Sequence, residues 1–321
     1  MTDRHVRADD QIDVIVDDVV AVADGIKSYV LRPVTGTELP SWEPGSHIDV
    51  HLPSGLVRQY SLCGDPSDRC NYHIAVLREP AGRGGSAEVH DVLESGSKLR
   101  VGSPRNTFGL EPAARYVFIA GGIGITPILP MIAAADAAGA EWSLAYGGRT
   151  LDTMAFRDGL AHYDHRVTLL PQDSTGLIDL HAVIGSPQCG TQVYCCGPSG
   201  LLAAVESHCA GWPDGTLHVE RFVATDPVRV DGDTTFEVVL AKQDRAFLVA
   251  PGTSILQTLE SNGIDVPSAC QQGMCGTCEQ IVVEGTPDHR DDILSEEERA
   301  AGDYILICVS RCHGDRLVLD L

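Results

Sequence analysis

Four cysteines constrain this chain more than any other feature. Cys270, Cys275 and Cys278 stand at C-x4-C-x2-C in Ser268-Ala-Cys270-Gln-Gln-Gly-Met-Cys275-Gly-Thr-Cys278, and Cys308 follows after 29 intervening residues. Two irons bridged by two sulfides need four thiolates, and this spacing suits a loop that wraps one side of such a cluster while the last thiolate arrives from elsewhere. Gly273 and Gly276 let the loop backbone turn and approach where a side chain would collide. A zinc site would favour two C-x2-C pairs or added histidines, and only one such pair is present. A disulfide framework needs an oxidising compartment, for which nothing else in the chain speaks. The pattern predicts a [2Fe–2S] cluster, with Cys312 as the rival to Cys308 for the fourth position.

At 321 residues the chain has room for two or three domains. Seven further cysteines (Cys63, Cys70, Cys189, Cys195, Cys196, Cys209 and Cys312) make an odd remainder with no signal peptide, which implies a reducing cytoplasm. A formal net charge of −22 excludes a nucleic-acid binder. Residues 232–321 carry 16 acidic against six basic side chains. That excess would steer a basic partner toward an electron-carrying cluster, and it equally suits plain solubility or a halotolerant proteome. Residues 116–135 contain no charge and have spanning length, yet Gly121, Gly122, Gly124, Pro127 and Pro130 interrupt them. Strand, glycine turn and helix fit that stretch better, so no membrane association is expected.

From residue 13 the pattern is of short β runs at 13–22, 29–33, 47–52, 57–63, 72–77 and 98–102, punctuated by turns such as Pro44-Gly45 and Pro53-Ser-Gly55. Such spacing predicts a small antiparallel barrel. His47, Asp49 and His51 share one strand face and imitate a metal site, but Ile48, Val50 and Leu52 alternate with them as in an ordinary half-buried strand. In Arg58-Gln-Tyr60-Ser61, one strand offers a cation for a phosphate, an aromatic ring for an isoalloxazine and a small donor near its reactive nitrogen. Gly82-Arg-Gly84-Gly85-Ser86 precedes a helix at 88–93, and a glycine turn feeding a helix start is an anion site.

A second domain begins near Arg115, with a buried-strand run at 116–120, the turn Gly121-Gly122-Ile-Gly124-Ile-Thr126-Pro127 and an apolar helix to about 138. It is not the dinucleotide fingerprint, because Pro127 occupies the last glycine's place and no clear acidic residue ends the second strand. Strands at 141–149, 167–170 and 192–196, with helices at 153–160 and 200–209, describe a parallel α/β sheet. Cys195-Cys196-Gly197-Pro198-Ser199 opens a helix at a strand's carboxyl end, where such sheets bind ligands. Cys196 has no neighbouring histidine in sequence, so a nucleotide-lining role is expected of it before a nucleophilic one. Residues 224–233 read as a linker. Strands at 235–242 and 246–249, a helix at 254–262, an acidic helix at 291–302 and strands at 305–308 and 316–319 complete the chain.

With three motif sets in this order, the chain resembles the phthalate dioxygenase reductase family over residues 10–321. The run Pro44-Gly-Ser-His-Ile-Asp-Val-His-Leu-Pro-Ser-Gly-Leu-Val-Arg-Gln-Tyr-Ser-Leu-Cys63 and the Gly82–Ser86 turn carry the likeness, and Leu306-Ile-Cys308-Val-Ser-Arg311 resembles the ferredoxin strand that closes a plant-type cluster. The resemblance implies an antiparallel β-barrel for FMN (10–112), an α/β parallel-sheet domain for NAD (113–223), the linker, and a β-grasp plant-type ferredoxin domain (234–321). It implies that Arg58, Tyr60 and Ser61 hold the flavin and Gly84, Gly85 and Ser86 its phosphate. Gly122, Thr126, Cys196, Gly197 and Pro198 would line the nicotinamide nucleotide, and Phe222 matches the aromatic residue near the flavin ring. Ser61, Cys196 and Phe222 are then the residues nearest the hydride-transfer chemistry, and Cys270, Cys275, Cys278 and Cys308 the metal ligands. Gly109 stands where relatives often carry proline. The expected protein is a cytoplasmic, monomeric NADH-dependent reductase component. It would serve a Rieske non-haem iron oxygenase acting on an aromatic compound, with a cytochrome P450 as the alternative acceptor and a non-catalytic redox carrier or sensor as the further alternative. NADH is expected over NADPH because no paired basic cluster follows Arg149.

Overall fold

The structure, a computed structural model, describes residues 11–80, 82, 84–222 and 232–321. Arg83 and most of the expected linker lie outside the described residues. The chain divides into two compact units, Asp9–Arg221 and Phe222–Leu321.

The first unit opens with β1 (Gln11–Ala23), β2 (Ile26–Pro33), β3 (Ser46–His51), β4 (Val57–Ser61), β5 (Tyr72–Leu77), β6 (Lys98–Gly102) and β7 (Arg105–Asn106), with α1 (Gly85–Val92) before β6. They form one antiparallel sheet in the order β4-β3-β6-β1-β2-β5, with β7 on β3. A Leu62–Ile74 bridge joins the two outer strands, so the sheet closes as a barrel and leaves no open edge there. Alternate residues such as Val14, Val16, Tyr29, Leu31, Ile48 and Val50 fill its interior.

β3 departs from the expected half-buried pattern, because His47 and Asp49 on its second face are buried as well. Arg105 of β7 covers that face and grips the Asp49 carboxylate with two nitrogens at 2.7 and 2.8 Å, while Gln59 donates to it at 3.0 Å. Among the described residues no three His, Cys, Asp or Glu side chains converge as a single metal ion would require. α1 starts three residues before the expected 88. Gly84, at φ 83°, makes the turn that lets the Glu88 N–H reach its carbonyl at 2.9 Å.

The same unit continues with β8 (Arg115–Gly121), α2 (Ile125–Ala137), β9 (Glu141–Gly148), α3 (Arg157–Leu160), β10 (Val167–Pro171), α4 (Gln172–Thr175), α5 (Leu180–Ile184), β11 (Thr191–Cys196), α6 (Ser199–Cys209) and β12 (Leu217–Glu220). The sheet is wholly parallel in the order β10-β9-β8-β11-β12. Val117, Phe118, Ile119 and Ala120 are buried on both faces of the central strand, which is why residues 116–120 read as an unbroken apolar run. The helix expected at 153–160 is shorter, because Phe156 takes φ 61° and splits it. β12 has no counterpart among the strands expected from the sequence.

The second unit contains β13 (Phe236–Leu240), β14 (Arg245–Val249), α7 (Ile255–Ser261), β15 (Glu279–Asp288), α8 (Glu296–Ala301), β16 (Tyr304–Leu306) and β17 (Arg311–Leu319). Its mixed sheet runs β14-β13-β17-β15-β16, with β13 and β17 parallel at the centre. α7, begun by a Ser254–Gln257 capping box, buries Ile255, Leu256 and Leu259 in one cluster with Val238, Leu240, Leu317 and Leu319 of the sheet. This is the β-grasp arrangement. The acidic helix is confined to α8 because the Asp291 carboxylate accepts from the Ile293 and Leu294 N–H groups and holds residues 291–294 in a turn. Among the described residues no helix is long and apolar enough to cross a membrane.

Candidate functional site

The four motif cysteines come together in the second unit. Cys270, Cys275, Cys278 and Cys308 are all buried, and their thiols lie in two hydrogen-bonded pairs, Cys270 with Cys275 and Cys278 with Cys308. Two pairs, each able to chelate one iron, suit a two-iron cluster better than one tetrahedral ion. The hydrogen bond from Cys270 draws the Cys275 thiol down, toward the thiolate a metal needs, while the Cys270 thiol is held protonated. Backbone N–H groups face the sulfurs, with Gln272 donating to Cys270 Sγ at 3.3 Å. The loop is cut to fit: a Cβ at Gly273 (φ 73°) would lie 2.6 Å from Val309 Cγ2 and 3.0 Å from Asp291 Cα. Cys312 is placed differently. It sits in β17 opposite Pro287, and its thiol donates to the Arg316 carbonyl at 3.3 Å.

In the first unit, β4 carries Arg58, Gln59, Tyr60 and Ser61, paired with β3 so that Ile48 faces Tyr60 and His47 faces Ser61. Alternation sends Arg58 and Tyr60 to one face, where Tyr60 packs on the barrel core, and Ser61 to the other. The Arg58 side chain lies across the start of α1, so close that a Cβ at Gly85 would collide with its Nε. A guanidinium over a helix start opened by Gly84 is an arrangement with the charge and N–H donors that an anion needs. The Ser86 hydroxyl, by contrast, accepts from the Glu79 N–H at 3.0 Å and ties the turn to β5's exit.

The parallel sheet reverses direction of travel between β8 and β11, where a ligand crevice is expected. There the two turns at the strand ends interlock. A Cβ at Gly124 would strike the Cys196 carbonyl, and one at Gly197 would lie 3.0 Å from Gly121. Gly122 takes φ 56° at the head of the first turn. Pro198 precedes α6 and packs beside Gly121. Thr126 is buried and its hydroxyl donates to the Ile123 carbonyl at 2.9 Å, so it shapes the turn.

Glu220 carries no motif in the sequence and is placed by the fold alone. β12 delivers it beside Cys196, whose thiol donates to its Oε2 at 3.7 Å, and the Ser61 side chain hydrogen-bonds the same carboxyl. Burial raises Glu220 to about 8, only partly opposed by those two hydrogen bonds. Burial also pushes the Cys196 thiol well above its usual range, so it stays protonated near neutrality. Ser61, Cys196 and Glu220 thus form one polar cluster joining the barrel to the crevice of the parallel sheet. Phe222, assigned to the unit that contains the cysteine loop, is 37% exposed and lies two positions beyond Glu220 in the chain.

Comparison with known proteins agrees with this geometry. Residues 238–313 match the family of 2Fe-2S iron–sulfur cluster binding domains. The chain is 41% identical to vanillate O-demethylase oxidoreductase of Pseudomonas putida over 306 residues, 93% of this chain and 96% of that protein. It superposes on an intact type IV self-sufficient cytochrome P450 monooxygenase with a TM-score of 0.88 and 44% identity, covering 97% of this chain but only 41% of that one. The solved phthalate dioxygenase reductase, described as a modular structure for electron transfer from pyridine nucleotides to [2Fe-2S], matches with a TM-score of 0.75 and 36% identity over 99% of this chain and all of its own. A closed barrel, a parallel sheet and a β-grasp cluster module in that order, with this likeness end to end, make the chain an oxidoreductase of the phthalate dioxygenase reductase family, whose cofactors are FMN, NADH and a [2Fe–2S] cluster.

Proposed function

We propose that the chain is the NADH-dependent reductase component of an oxygenase system, passing electrons to a Rieske non-haem iron oxygenase that acts on an aromatic compound. The pairing of Cys270 with Cys275 and of Cys278 with Cys308 carries this reading, since a cluster so held takes single electrons. FMN, when bound, accepts the two electrons of a hydride together and gives them up singly.

The chain's own residues then have distinct tasks. Arg58 and the Gly84–Ser86 turn would fix the flavin phosphate, and Tyr60 would flank the ring. Gly122, Thr126, Gly197 and Pro198 would shape the crevice for the nucleotide. Ser61 would present its hydroxyl to the reacting edge, held by Glu220, which is protonated at neutral pH and can keep a proton within reach. Cys196, also protonated, would bound the nicotinamide side as a compact wall, and Phe222 would be the aromatic residue near the ring.

Anaerobic purification with identification of the released flavin, and of iron and sulfide, tests the reading when combined with NADH and NADPH titrations. FMN, iron and sulfide in the ratio of a [2Fe–2S] cluster and bleaching by NADH are expected. A colourless protein, or zinc in place of iron, would overturn it. The likeness to part of a self-sufficient cytochrome P450 supports a second reading, in which the acceptor is a P450 haem domain. Reconstitution with each oxygenase type separates the two.

A further inference from the structure

One buried carboxylate stands against the cluster loop and serves no ligand role. Asp291 has a fully buried side chain. Its Cα and Cβ lie 3.0 and 3.2 Å from where a Cβ of Gly273 would stand, and the neighbouring Asp292 N–H donates to the Gly273 carbonyl at 3.0 Å. On the other side the Ser310 hydroxyl, two residues beyond Cys308, donates to Asp291 Oδ1 at 3.4 Å. Asp291 is therefore wedged between the two segments that supply the thiols. Its counter-charge is incomplete. Arg299 Nη2 stands 3.7 Å from Oδ2 on a side chain 38% exposed, and it spends its close hydrogen bond on the Asp291 carbonyl. His289 Nδ1 is also 3.7 Å from Oδ1, beyond hydrogen-bond reach of the carboxylate.

A charge without water around it acts on its neighbours far more strongly than a solvated one. A cluster that gains an electron becomes more negative, so a nearby buried carboxylate opposes reduction and a nearby cation favours it. We propose that Asp291 sets the reducing power of the iron–sulfur centre through its buried charge, with Arg299 as the partial, solvent-damped counterweight. The inference rests on the cluster reading above. Its consequence is directional: a cluster made harder to reduce is a stronger donor to the next protein, and this carboxylate would sustain delivery to a low-potential acceptor.

Redox titration of the full chain, followed by EPR, tests this with Asp291→Asn and Arg299→Gln. Asn keeps the side chain's size and one acceptor oxygen while removing the charge. The midpoint potential is expected to move positive in Asp291→Asn and negative, by a smaller amount, in Arg299→Gln. A structural disturbance has no reason to reverse sign with the charge removed. Unchanged potentials, or shifts of the same sign in both variants, would overturn the proposal. Should Asp291→Asn fail to assemble a cluster, Arg299→Gln and Arg299→Glu decide: a progressive negative shift supports it, and no progression refutes it. A wild-type protein without the [2Fe–2S] EPR signal would instead sink the cluster reading itself.

Discussion

At the scale of single residues, the difference between Cys308 and Cys312 is four positions in sequence and a change of environment in space. Cys308 pairs with Cys278, whereas Cys312 gives its S–H to the Arg316 carbonyl inside β17. Cys308→Ser should abolish the visible absorption of the cluster while NADH–ferricyanide activity persists, and Cys312→Ser should leave the spectrum intact. Absorption and diaphorase assays on the two variants check this. Glu220 yields a second expectation. Burial raises it from the ordinary 4.5 to about 8, so the folded state holds a proton there that the unfolded state releases above about pH 4.5. Its contribution to stability is complete below that lower value and is lost as pH climbs through about 8. Glu220→Gln should flatten the decline of stability between pH 5 and pH 8.5, by urea unfolding at about those two values.

At the scale of elements, loops that hold chemistry here are shaped by close backbone approach. The turn between Cys270 and Cys275 closes only because Gly273 has no side chain and sits at φ 73°. Alanine there would meet Val309 Cγ2 at 2.6 Å, and Val309, in the turn between β16 and β17, and Asp291 are both buried. Gly273→Ala should cost about 1–3 kcal/mol in the cluster module and speed loss of iron on dilution, read by thermal melting and by decay of the visible bands. Strands β12 and β15 show the limit of pattern reading. Leu217–Glu220 is too short and evenly half-buried to stand out, and Glu279–Asp288 is polar with Gly285 and Pro287 inside it. Both exist because a neighbouring strand supplies their ladder bonds, β11 for the first and β16 and β17 for the second.

At the scale of the molecule, charge is the property with a functional consequence. A chain of net charge −22, with its last module strongly acidic, should meet basic acceptors faster than neutral ones. Reduction of cytochrome c, a basic protein, should fall several-fold as salt rises from about 0.01 to 0.5 M, because the Debye length shrinks from about 30 Å to a few ångströms. Stopped-flow or steady-state assays across that range check it; a flat response would mean that the acidity serves solubility alone. The sequence by itself determined the plant-type cysteine spacing of the loop, the order of the modules and the glycine turns, because spacing along a loop and the absence of a Cβ are local facts. Only the tertiary structure decided that Ser61, Cys196 and Glu220 share one cluster, that Cys270 pairs with Cys275, and that Asp291 lies against the cluster loop. Those contacts join strands and loops far apart in the chain, and burial, which sets the protonation of Glu220 and Cys196, exists only once the sheets have packed.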